Sequence, residues 1–98
     1  MQTVSFQRVS GLAFRRLDDQ TVIVVPRNRQ VHVLNLTGSL IWELLDSRRS
    51  LEQLVQELER GGEFDAEPGQ VARDVSSFVE RLVQGGLVVS EPGAPSES

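Results

Sequence analysis

The chain has 98 residues, 39% of them hydrophobic and 24% charged, and a formal net charge of -4. That size suits one small domain with a modest core, and the apolar fraction favours folding over disorder. The absence of cysteine excludes disulfides and thiolate metal sites, a single histidine argues against a transition-metal cluster, and no apolar run approaches the roughly 20 residues of a membrane span.

In chain order, Leu12 to Leu17 reads as a first strand, followed by the polar turn Asp18-Asp19-Gln20. Thr21-Val22-Ile23-Val24-Val25 is β-branched and apolar at nearly every position, which suits a central strand. Pro26-Arg27-Asn28-Arg29 forms the next turn, with Asn28 able to take a left-handed conformation. Gln30 to Leu34 then forms a third strand. Short connections imply an antiparallel meander with the second strand in the middle. The third strand is then an edge, so its backbone from Gln30 to Asn35 can accept an extended peptide as one more strand.

At Asn35 the hydrophobic period changes from two to that of a helix. A first helix is predicted from about Leu36 to Asp46, with Asn35 as N-cap. Ser50-Leu51-Glu52-Gln53 has the form of a capping box opening a second helix, which Gly61-Gly62 ends. A third helix is predicted from near Asp65, with Pro68 in its first turn. Val71, Val75, Phe78, Val79 and Leu82 share one face of it, and Gly85-Gly86 stops it. Leu87-Val88-Val89 is a short apolar return, and residues 91–98 read as a disordered tail after a folded domain of residues 1–90. The expected fold is α+β and winged-helix-like: a three-stranded antiparallel β-meander followed by three α-helices.

Charge is divided unevenly, with a net +3 over residues 1–30 and -7 over residues 31–98. The alternative of a winged-helix DNA-binding transcriptional regulator needs a basic recognition helix. Between Asp65 and Gln84, however, Arg73 and Arg81 face four acids. Arg27 and Arg29 at a turn are a weak nucleic-acid signal, so no nucleic-acid partner is expected. No nucleophile has a matching base, and neither glycine pair opens a helix as a phosphate loop would, so no catalysis and no cofactor are expected. Met1 to Gln7 lacks the layout of a signal peptide, which makes the cytoplasm the expected location.

The run Leu34-Asn35-Leu36-Thr37-Gly38-Ser39-Leu40-Ile41-Trp42-Glu43-Leu44-Leu45-Asp46 resembles the signature segment of PqqD-like proteins, the precursor peptide recognition elements of RiPP biosynthesis. The resemblance continues through Ser50–Leu54, Asp74-Val75, Phe78, Leu82 and Gly86-Leu87-Val88, covering about residues 9 to 90. Leu36 stands where many family members carry proline. The resemblance implies a non-catalytic domain that binds the leader of a ribosomally made precursor. It implies presentation of that leader to a radical SAM enzyme, a protease or a cyclase. The leader would lie beside the third strand and against the third helix.

The peptide-binding candidates are therefore Val31, His32, Val33, Leu34 and Asn35 on the strand, with Asp74, Ser77, Phe78 and Arg81 on the helix. Helical angles put Asp74, Ser77 and Arg81 on one flank of the core stripe and Ala72, Ser76 and Val83 on the other. The first flank is favoured, with Phe78 as an apolar floor. For any single polar helix residue, plain solvation is the commoner state. A lone strand histidine such as His32 is more often structural, and Trp42 more often core, than ligand-binding. Val31 and Val33 point to the sheet face opposite Leu34, and if that face is bare it suits a homodimer or enzyme docking.

Overall fold

The structure is a computed structural model that describes residues 4–61 and 69–92. Its elements are β1 (Val4–Arg8), β2 (Ala13–Leu17), β3 (Gln20–Val25), β4 (Gln30–Leu34), α1 (Leu36–Leu44), β5 (Arg49–Ser50), α2 (Leu51–Arg60), α3 (Gln70–Gln84) and β6 (Val88–Pro92). The class is α+β, built from three helices and two three-stranded antiparallel sheets, ordered β2-β3-β4 and β5-β1-β6.

The predicted meander is the first of these sheets. Thr21, Ile23 and Val25 of β3 point inward and are buried, whereas Val24 points outward. Val25 pairs with Gln30 across the turn, and Thr21 pairs with Leu34. Two hydroxyls then tie this sheet to α1. Thr21 Oγ1 donates to Ser39 Oγ at 2.7 Å, and Ser39 Oγ donates to the Leu34 carbonyl at 3.4 Å. Both residues are buried, so this short relay satisfies polar groups that water cannot reach.

The predicted succession of strands followed by helices does not hold. β1 precedes the meander, β5 lies between α1 and α2, and β6 follows α3. Glu91 and Pro92, expected in the tail, continue β6, while residues 93–98 lie outside the described residues. The second sheet was hidden because its pairing is long-range and the buried positions of β1 and β5 are serines. Ser5 pairs with Glu91 and with Ser50, and Ser5 and Ser50 are both buried. Ser5 Oγ donates to the Glu91 carbonyl and accepts from Arg48 Nη2 at 2.9 Å. A serine at the inward position erases the apolar alternation that marks a strand.

Helix limits follow capping chemistry. Asn35 Oδ1 accepts from Gly38 N at 2.9 Å and starts α1 as expected, although α1 ends at Leu44. At α2 both bonds of the Ser50–Gln53 capping box form. The α3 helix begins at Gln70 behind Gly69, later than predicted, and Asp65 and Pro68 lie outside the described residues. The core joins Ile23 and Leu34 of the sheet to Ile41, Trp42 and Leu45 of the α1 region. It continues into Leu54 of α2, Val75, Val79 and Leu82 of α3, and Leu87 beyond it. Trp42 is 1% exposed, a core residue.

Candidate functional site

Four strands form sheet margins: β2, β4, β5 and β6. Three of them carry features that discourage further pairing. The β2 strand holds Arg15 and Arg16, β5 is two residues long and holds Arg49, and β6 ends in Glu91-Pro92. The β4 strand, Gln-Val-His-Val-Leu, has no charge and no proline. Among the described residues β4 pairs only with β3. Along its outer side, alternate residues present N–H and C=O groups in the spacing of a sheet ladder.

A groove of about 420 Å³ begins where β4 ends. One wall is the start of α1, with Asn35, Thr37, Gly38 and Ile41; the other is α3, with Asp74, Ser77, Phe78 and Arg81. Val71 and Val75 lie at its base. The structure thus brings Asn35 together with the four helix candidates in one concavity, and the groove lies on the favoured flank of α3. Asp74 and Arg81 are exposed and lie about 10 Å apart along the axis, two helical turns at 1.5 Å per residue. They make no ion pair among the described residues, where the two ion pairs are Arg16–Glu43 and Arg60–Glu57.

Val31, His32, Val33 and Leu34 do not line the groove; they form the strand that runs up to it. Leu34 is buried, whereas Val31 and Val33 are 59% and 57% exposed on the opposite sheet face. His32 turns inward beside the end of α3, where a Cβ placed on Gly85 would sit 3.6 Å from His32 Cε1. Its Nε2 is buried without a hydrogen-bond partner among the described residues. The α3 helix therefore runs beside β4 from Phe78, which crowds Gly38 together with Leu34, to its C-cap Gly85, next to His32.

Sequence reasoning missed Gly38. A Cβ there would lie 2.7 Å from Phe78 Cζ and 3.2 Å from Leu34 Cβ. Glycine lets the first turn of α1 approach Phe78 and β4 closely enough to shape the groove. The signal was present in the sequence: a glycine inside an amphipathic helix costs about 1 kcal/mol against alanine and calls for a packing reason.

No group of three or more histidine, cysteine, aspartate or glutamate side chains is placed to hold a metal among the described residues. No helix there is long and apolar enough to cross a membrane. The concavity is lined by one carboxylate, one guanidinium, small polar groups and an aromatic floor. Beside an open strand margin, that set suits noncovalent capture of an extended chain.

A family model described as coenzyme PQQ synthesis protein D (PqqD) matches residues 20–88. No curated protein matches the sequence. Among solved structures, TbiB1 in complex with the TbiA(β) leader peptide superposes with a TM-score of 0.72 at 24% identity, covering 84% of this chain and 93% of that one. Lasso peptide synthetase B1 complexed with its leader peptide gives 0.72 at 24% identity, covering 86% and 96%. The PqqD truncation of Methylobacterium extorquens PqqCD, described as a functional stand-alone RiPP recognition element, gives 0.68 at 20% identity, covering 87% and 88%. These likenesses establish a shared fold.

Proposed function

This chain belongs to the PqqD family, and we propose that it is a non-catalytic adaptor that captures the leader of a ribosomally synthesised precursor peptide. The leader adds as a strand to β4 and fills the groove between α1 and α3. The observation that carries this reading is the coincidence of the one uncharged, proline-free sheet margin among the described residues with that groove. Two solved relatives of this fold hold leader peptides, which supports the same assignment. The reading takes the β2–β4 meander on its helices as a winged-helix-like arrangement, places the protein in the cytoplasm, and gives it a maturation enzyme as second partner. A radical SAM enzyme, a protease or a cyclase fits that role.

Ladder hydrogen bonds alone hold a peptide weakly. Each contributes about 0.5–1.5 kcal/mol net, because water competes for the same groups. Selectivity then comes from side chains in the groove. Asp74 and Arg81 are suited to read charge on the leader, and Phe78 to receive an apolar side chain. Within α3, Arg73 and Arg81 are balanced by Asp74 and Glu80, which disfavours a nucleic-acid role.

The test is titration with the synthetic leader of any short precursor encoded beside this gene. Saturable 1:1 binding is expected, weakened by Phe78→Ala by about tenfold or more, as for a central anchor. Equal affinity for a scrambled peptide would sink the proposal.

A further inference from the structure

The outer face of the β2–β3–β4 sheet carries two cross-strand rows that stop at the bare edge. Arg15 of β2 pairs with Val22 of β3, which pairs with Val33 of β4. Ala13 pairs with Val24, which pairs with Val31. Each row is apolar at its open end, and the terminal valines are among the most exposed hydrophobic side chains of the molecule, at 59% and 57%. Edge strands ordinarily place charges at such positions to block pairing, yet here the charge is Arg15, two strands away from the open margin.

We propose that the side chains of Val31 and Val33 are specificity determinants that read a second set of leader residues, those facing away from the groove. The inference rests on the strand-addition reading above. Side chains in a strand alternate between faces. A peptide added to β4 sends one set of residues toward α3, on the side of His32 and Leu34. It sends the intervening set onto the outer face, beside Val31 and Val33. Directly opposed side chains there come within about 4.5–5.5 Å. Apolar β-branched or aromatic residues spaced i, i+2 would continue both rows by one strand, whereas an acidic or small residue would leave the valines in water. The occupant of this end of the face is thus the captured peptide itself. Continuity with the β4 margin favours it over a second copy.

The test compares Val31→Thr/Val33→Thr with Val22→Thr/Val24→Thr, using the same synthetic leader and fluorescence anisotropy. Threonine keeps β-branching and removes apolar contact. The first pair should raise Kd by roughly 2- to 30-fold, the range expected from two lost cross-strand pairs. The second pair lies one strand further from the peptide and should leave Kd within about twofold. Aspartate substitutions along the leader should be harmful at alternate positions on this face, and that penalty should shrink in the threonine variant. Unchanged affinity in Val31→Thr/Val33→Thr would overturn the inference. So would equal losses in both variants, which would mean that a larger body covers the whole face. A concentration-dependent dimer, lost in the first variant while leader affinity stays constant, would assign the face to a second copy instead. If the wild-type protein does not bind the leader at all, the adaptor reading itself fails.

Discussion

Gly38 shows how one residue links packing to function. Replacing it with alanine places a methyl group against Phe78 and Leu34. Overpacking of this kind costs about 1–3 kcal/mol, and the better helix propensity of alanine returns up to about 1. The Phe78 ring can swing, so part of the strain goes into the groove. Gly38→Ala is therefore expected to lower stability by about 0–2 kcal/mol in chemical denaturation, and to weaken leader binding through the displaced Phe78 ring. Ser39 is a contrasting case. Ser39→Ala leaves the buried Thr21 hydroxyl without its acceptor and should cost about 1–3 kcal/mol, with little effect on the groove lining. Asn35→Ala removes the N-cap of α1 and should cost about 1 kcal/mol. The groove candidates Asp74, Ser77, Phe78 and Arg81 could be placed from helical angles, because residues three or four apart share a face. Gly38 could not, because its role is set by a ring 40 positions later in the chain.

At the scale of elements, local rules carried the sequence far. The strands of the meander and the starts of α1 and α2 follow from β-branched runs, turn residues and caps that act within a few positions. What stayed hidden was the β5-β1-β6 sheet, in which β1 and β5 bury serines and β1 pairs with β6 across nearly the whole described chain. Its latch is checkable. Arg48 donates to Ser5 through Nε and Nη2 and reaches the Pro92 carbonyl, so it ties β1 to the end of β6. The site is part-buried, so Arg48→Met should cost about 1 kcal/mol. It should also speed amide exchange in β1 and β6 before the meander is affected. Equal acceleration in both sheets would show that they open as one unit.

For the whole molecule, the organisation is a division of labour between two sheets. The β5-β1-β6 sheet joins the two ends of the described chain, and the meander presents an open margin. The net charge of -4 and the balanced α3 predict weak salt dependence of leader binding. Raising salt from 50 to 200 mM should change Kd by less than about tenfold, against the roughly 10³–10⁵ loss typical of a protein neutralising several phosphates.

The central claim, that β4 takes up one more strand, is tested most directly by residue-resolved amide exchange with and without the leader. Binding should slow alternate amides between Gln30 and Asn35, with accompanying protection around Asp74–Arg81. Protection centred on β2 or β6, or no slowing anywhere in β4 at saturating leader, would contradict it.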